Sequence, residues 1–163
     1  MALGNRYKSA PGAGTFAALI LVLVFGSPWY GDWVEKNTRT DTAGGWWLRQ
    51  LHWPSWTFDS SDALRTIIVT DLKAILLIVL TAVFLFLLPG SQLARARGTI
   101  SQFFAGWAAY IFAGGFAALL TTLFLANPSL LNAFQAAGYG ASYGLFVGWI
   151  VGFATLGGYR GTR

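Results

Sequence analysis

The chain has 163 residues, of which 55% are hydrophobic and only 10% are charged. Soluble domains usually carry about 25% charged residues, so too few remain here to cover a water-facing surface. We therefore predict one all-α integral membrane domain covering residues 1–163. The net charge of +5 comes from basic residues that form no single cluster, which argues against nucleic-acid binding. The absence of cysteine excludes disulfides, thiolate metal sites and thiol redox chemistry.

Four apolar segments are long enough to cross a bilayer, which requires about 20 mostly apolar residues per helix. Pro28 marks the predicted outer end of the first segment, and Pro89-Gly90 ends the second. The first segment follows Arg6 and Lys8 as a signal peptide would, but no small-x-small cleavage site follows it, so we interpret it as a span. The predicted spans are about 12–30, 66–88, 99–126 and 132–156.

Charged residues are distributed unevenly between the two sides of these spans. The loop at about 31–65 has four basic and five acidic residues. The opposite side has six basic residues and no acidic ones, namely Arg6, Lys8, Arg95, Arg97, Arg160 and Arg163. Lysine and arginine are concentrated in cytoplasmic segments. The pattern predicts a multi-pass plasma-membrane protein with both termini in the cytoplasm and the loop outside.

The predicted external loop is rich in tryptophan, and its candidate interface residues are Trp46, Trp47, Trp53 and Trp56. Three interpretations are open. The indole rings form a belt at the headgroup level, they dock a partner protein, or they stack on a sugar or a lipid headgroup. The run WWLRQLHW at 46–53 predicts a short amphipathic helix lying flat on the membrane. Pro54 ends it, because the residue before a proline disfavours helix.

Glycines recur at every fourth position of an uncharged stretch, at Gly140, Gly144, Gly148 and Gly152. A glycine inside a helix costs roughly 1 kcal/mol relative to alanine, so this regular placement indicates a specific use. In lipid, small residues at this spacing let two helices approach closely. A shorter set on the third span includes Gly106 and Gly114. Whether this row of glycines packs against a helix of this chain or of a partner remains open at this point.

Asp71 and Lys73 are the ionisable residues that reach a predicted span. A charge at depth is costly and usually functional, so we consider these residues as a buried ion pair. The alternative is that both lie at the outer interface, where Lys73 extends its ammonium towards water. Because residues two apart on a helix do not face each other, a buried Asp71 would need a basic partner from the loop or from another chain.

The side chains offer little for catalysis or metal binding. His52 is the only histidine, which excludes a bis-histidine haem site within the chain. No span carries paired carboxylates, and a transporter would be expected to have polar groups at the midplane or broken helices. We therefore predict no enzyme activity, no catalytic residues, no metal site and no cofactor.

The four-span layout is similar to that of small accessory subunits of actinobacterial envelope complexes, found with Mce-type lipid importers or respiratory supercomplexes. Arginine outnumbers lysine, and alanine and glycine are abundant, as in proteins from GC-rich genomes. The resemblance covers layout alone and transfers no residue role. It implies a non-catalytic subunit that stabilises, anchors or regulates a larger plasma-membrane complex, with other membrane subunits and the bilayer as partners. The alternative is a small oligomeric transporter or lipid-handling protein.

Overall fold

The computed structural model describes residues 10–57, 64–90, 99–125 and 129–160, and this part of the chain is all-helical. Several charges used in the orientation argument lie outside these residues, namely Arg6, Lys8, Asp59, Asp62, Arg95, Arg97 and Arg163. The described elements are α1 (Ala10–Ile20), a π-helical turn (Leu21–Phe25), α2 (Pro28–Asn37), α3 (Ala43–Leu51), α4 (Leu64–Gly90), α5 (Thr99–Leu125), α6 (Leu130–Val147) and α7 (Trp149–Arg160).

Two helices are long and apolar enough to cross a membrane. They contain Ile67–Leu87, with a mean hydropathy of 2.4, and Ile100–Leu123, with a mean hydropathy of 1.7. Two bent pairs pass the same test when each is taken as one unit. α1 with its π-helical turn meets α2 at 66°, and α6 meets α7 at 54°. The described chain thus has two candidate membrane spans, or up to four if each bent pair counts as one.

Helix α5 is the centre of the bundle and packs against α4, α6 and α7, while α1 packs against α4 and α7. The core is made of aliphatic and small side chains, which allow close helix contacts, including Leu77, Leu85, Ala109, Ala113, Ala117, Val147 and Val151. Two buried threonine hydroxyls bond within their own helices. The Oγ1 of Thr81 donates to Leu77 O at 2.7 Å, and that of Thr121 donates to Ala117 O at 2.6 Å. Such internal pairing is what an apolar surrounding requires.

The bend at Gly148 divides the last predicted span into halves with different neighbours. α7 packs against α1 and α5, whereas α6 packs against α5 and α3. α3 occupies this side of the bundle with Leu51 buried and with Trp47 and Trp53 packed on the core. The span predicted at 132–156 is therefore broken, and α3 lies against its first half.

The described part of the segment predicted as a loop at 31–65 contains two short helices. Pro28 is the first residue of α2, and the Ser27 hydroxyl caps this helix by accepting from Tyr30 N at 3.2 Å. Thr42 caps α3 in the same way, accepting from Gly45 N at 3.1 Å. Pro28 was predicted to mark the end of a span. In the structure it also begins a helix, because the N–H that proline lacks is not needed in a first helical turn.

Two long-range hydrogen bonds tie α2 to α3. The Arg49 guanidinium donates to Thr38 O at 3.0 Å, and the Tyr30 hydroxyl donates to Leu48 O at 2.9 Å. Thr38 follows the last turn of α2, where carbonyls lack helical partners and attract a cation. The predicted amphipathic piece at 46–53 is thus helical up to Leu51, and it packs against α2 and α6.

Candidate functional site

Gly140 and Gly144 of α6 and Gly152 of α7 face the backbone of α5, and Gly148, between the two helices, lies against the Trp107 and Tyr110 side chains of α5. A β-carbon added at Gly144 would lie 2.5 Å from the Cα of Ile111, and one at Gly152 would lie 2.8 Å from Phe103 O. At Gly140 an added β-carbon would collide with the backbone of Gly114. A Cβ cannot approach backbone atoms so closely, so these positions accept glycine alone without movement of α5.

The other predicted packing glycines lie in the same interface. Gly114 meets the Gly140 carbonyl, and Gly106 meets the Thr155 side chain and the Cα of Gly152. The Thr155 hydroxyl lies 3.0 Å from Gln102 O, so its oxygen also bridges α5 and α7. All six glycines predicted as packing residues therefore lie at contacts between helices of this chain.

A buried pair of tyrosines accompanies the glycine contact. The hydroxyls of Tyr110 on α5 and Tyr143 on α6 lie 2.9 Å apart, and both side chains are buried. Each polar tip satisfies the other, which removes the cost of burying it alone. The sequence alone does not pair Tyr110 with Tyr143, because the pair exists only once α5 and α6 are in contact.

Tryptophan side chains cap the break between α6 and α7. The Phe146 carbonyl accepts hydrogen bonds from the indole Nε1 of Trp47 at 3.2 Å and of Trp149 at 3.0 Å. The Leu145 carbonyl accepts from the Nε1 of Trp107 at 3.0 Å. A helix end leaves carbonyls without backbone donors, and apolar surroundings make such orphans expensive. The indole N–H is suited to this position, because the rest of the ring is apolar.

The second break, at the π-helical turn, is capped in a similar way. Val22 O accepts from the Nε1 of Trp56 at 3.0 Å, and Phe25 O lies 3.1 Å from the Nδ1 of His52. Because a carbonyl oxygen only accepts, Nδ1 carries the proton of His52 in this contact. The single histidine therefore has a structural partner at the end of the first helix.

The tryptophans considered for partner docking, Trp46, Trp47, Trp53 and Trp56, all contact other residues of this chain. Two of them, Trp47 and Trp56, donate to carbonyls at the helix breaks. Trp46 meets the Phe146 ring edge-on at 5.0 Å, and the centroid of Trp53 lies 4.7 Å from that of Tyr143. Of the set, Trp46 is the most exposed, at 41%. Two tryptophans of α2, outside this set, are as exposed or more so, with Trp33 at 41% and Trp29 at 72%.

Asp71 and Lys73 do not form an ion pair with each other in the part of the chain that the structure describes. The Oδ1 of Asp71 accepts from Thr57 N at 3.1 Å. The Lys73 ammonium lies 6.0 Å from the centroid of the Trp53 ring. The reason is helical geometry, because residues two apart project to different sides of α4. The two side chains face different neighbours, and within the described residues no salt bridge joins them.

Lys73 lines a cavity of about 360 Å³ at the junction of α3, α4, α5 and α6. The polar residues in its lining are Gln50, Lys73, Thr122 and two tyrosines, and the apolar ones are two alanines and Trp53. The full lining is Gln50, Trp53, Lys73, Ala118, Thr122, Ala136, Tyr139 and Tyr143.

A second concave region, of about 380 Å³, lies between α5 and α6 on another side, and we call it the α5–α6 groove. Its lining is almost entirely apolar, and small residues form its floor: Ile111, Phe112, Gly115, Phe116, Leu119, Phe134, Ala137, Gly138 and Ala141. A β-carbon added at Gly138 would meet no atom within 4 Å. This glycine therefore differs from those that face α5.

Among the described residues, no three histidine, aspartate or glutamate side chains come together in a group suited to a metal ion. No protein-family model matches the chain, and neither do any curated proteins or solved structures. The function of the chain is therefore inferred from the geometry of its described residues.

Proposed function

We propose that the chain is a non-catalytic accessory subunit that assembles with other integral membrane subunits of a larger plasma-membrane complex. The α5–α6 groove is the proposed docking site, and its occupant is a transmembrane helix of another subunit. The observation that supports this proposal is the open space in front of Gly138, in the middle of α6.

A glycine inside a helix costs roughly 1 kcal/mol relative to alanine. The contacts with α5 account for that cost at Gly140, Gly144 and Gly152. They do not account for it at Gly138, and a β-carbon at Gly115 would meet its nearest neighbour, Ala137 O, at an ordinary 3.4 Å. Within the part of the chain that the structure describes, packing requires neither glycine. Close contact with a helix of another subunit would explain why both positions are glycine.

The composition of the groove favours a helix over a lipid chain. An acyl chain is flexible and fits beside an alanine as readily as beside a glycine. A second helix brings a rigid backbone, which approaches closely only where side chains are small. The rim offers large surfaces for such a contact, because Phe112, Phe116 and Phe134 are 51%, 46% and 67% exposed.

The proposed topology has four spans. α4 and α5 supply two of them, the bent α6–α7 pair supplies a third, and α1 with its π-helical turn supplies the fourth. The excess of basic residues at the ends of the sequence and between α4 and α5 favours cytoplasmic termini in a plasma membrane. α2 and α3 then lie on the outer side. A reporter fused at Thr42 that reads cytoplasmic would reverse this orientation.

The assembly is tested by purifying the tagged full-length chain from membranes of its native host in mild detergent. Gly138→Leu fills the groove, whereas Gly157→Leu is a matched control because a β-carbon at Gly157 also meets nothing within 4 Å. Overpacking costs about 1–3 kcal/mol, so recovery of partner subunits should fall roughly tenfold in the first variant. The control should recover them like the unmodified chain.

A photo-crosslinking amino acid at Phe134, on the rim of the groove, identifies the occupant directly. The proposal requires a crosslink to an apolar segment of another membrane protein, and Gly138→Leu should abolish it. Equal recovery of partners with Gly138→Leu and Gly157→Leu, or crosslinks to lipid alone, would refute docking at this groove.

A further inference from the structure

We propose that the cavity lined by Lys73 binds the anionic headgroup of a membrane lipid, a phosphate or carboxylate that carries an acyl chain. This site is separate from the α5–α6 groove and does not depend on the assembly proposed above. It is supported by a cation that has no acidic partner among the described residues, by two further donor residues in the same lining, and by the position of the cavity along the apolar helices.

The cation in this cavity has no anionic partner among the described residues. The lining contains Lys73 but no carboxylate. The nearest acidic residue in sequence, Asp71, lines a different cavity with Val22 and Ile78 and accepts a hydrogen bond from Thr57 N. The Lys73 ammonium lies over the Trp53 ring, 6.0 Å from its centroid. A charge in an apolar segment is costly unless an opposite charge meets it.

Two neutral donors line the cavity together with Lys73. They belong to Gln50, on α3, and to Tyr139, on α6, whose side chain is 78% exposed and so is accessible to a ligand from outside. An ammonium, an amide N–H and a phenolic O–H are all donors. An anion with several oxygens accepts from all of them at once, and hydrogen bonds to a charged oxygen are stronger than neutral ones. The donor set therefore fits a phosphate or a carboxylate.

The depth of the cavity favours a lipid over a soluble anion. Lys73 lies six residues into Ile67–Leu87, which is about 9 Å along the helix. On α5, Thr122 lies next to the last residue of Ile100–Leu123. The cavity thus lies near one end of both apolar segments, where headgroups meet acyl chains. Ala118 and Ala136 add apolar wall beside the donors, as an amphiphile requires.

The experiment uses the purified, delipidated full-length protein in neutral detergent, titrated with phosphatidylglycerol or phosphatidylcholine of the same acyl chains. Native mass spectrometry counts the bound lipids. We expect roughly tenfold tighter binding of the anionic lipid, and we expect Lys73→Gln to remove this preference. Lys36→Gln is the matched control, because Lys36 is an exposed cation on α2 outside the cavity. It should keep the preference.

A second variant keeps the test decisive if Lys73→Gln does not fold. Gln50→Glu places a carboxylate in the cavity, where it neutralises Lys73 and repels an anion, so the preference should again be lost. Inorganic phosphate is the probe for a soluble ligand, and it should not displace the lipid at millimolar concentration. Equal binding of the two lipids, a preference that survives Gln50→Glu, equal weakening by Lys36→Gln, or displacement by inorganic phosphate would overturn the proposal.

Discussion

Glycines lie on two faces of α6, and their surroundings on the two faces differ. On one face Gly140 and Gly144 contact α5 so closely that a β-carbon would strike its backbone. Gly138 lies on another face, two residues before Gly140, and a β-carbon added there would meet no atom within 4 Å. The sequence pattern alone treats a glycine in an apolar helix as a packing residue. The difference teaches that the reason for each glycine must be sought in what its missing side chain would touch.

The largest expected effect comes from adding large side chains to the face of α6 that contacts α5. Gly144→Leu combined with Gly148→Leu should destabilise the fold by about 2–6 kcal/mol, because overpacking costs about 1–3 kcal/mol per site. The expected result is aggregation or degradation even when the chain is expressed without partners. Size-exclusion chromatography in detergent measures it. Gly138→Leu is the control, and it should elute as a monodisperse peak. A monodisperse double variant would mean that α5 does not contact this face.

Substituting alanine on each face tests whether the two substitutions change the free energy of unfolding in opposite directions. Gly140→Ala should lower the free energy of unfolding by about 1–3 kcal/mol, because its methyl group strikes the Gly114 backbone. Gly138→Ala should raise it by up to about 1 kcal/mol, because alanine favours helix and meets nothing there. Unfolding of the isolated protein in mixed micelles measures both. If the two variants shift stability in the same direction, the two faces are not distinct.

The smallest expected effect concerns the caps at the break of α6. Trp107→Phe leaves the Leu145 carbonyl without its indole donor, which should cost about 1 kcal/mol. Trp47→Phe removes one of two donors to Phe146 O, since Trp149 still donates. Its hydrogen-bond loss should therefore be smaller, about 0.5 kcal/mol. Thermal unfolding of the two variants gives the ranking, and a greater loss in Trp47→Phe would contradict these capping roles.

The long apolar helices were predictable from the sequence. The segments predicted at 66–88 and 99–126 correspond to α4 (Leu64–Gly90) and α5 (Thr99–Leu125) within a few residues. Continuous hydrophobicity is a local property, and Pro89-Gly90 is a local stop signal. The regular spacing of the glycines was visible too, although its partner helix was not.

The breaks and their caps were not predictable, because they depend on groups distant in sequence. Nothing near Gly148 in the sequence resembles a proline stop, yet Trp47, about a hundred residues earlier, donates to the carbonyl that the break exposes. Aromatic-belt reasoning considers where an indole ring prefers to lie and does not identify the acceptor of its N–H. The cavity at Lys73 likewise requires four helices to be brought together before its lining exists.

The tyrosine pair of α5 and α6 has a consequence for the alignment of the two helices. Small residues repeated every four positions would allow α6 to slide by one helical turn and meet α5 in another register. A slide that brings Tyr139 to the place of Tyr143 restores a hydroxyl opposite Tyr110 but drives the methyl of Ala136 into Gly114. The opposite slide puts Val147 opposite the Tyr110 hydroxyl and leaves that buried group without its partner. A repetitive surface is thus given a single alignment by two hydroxyls and one methyl group.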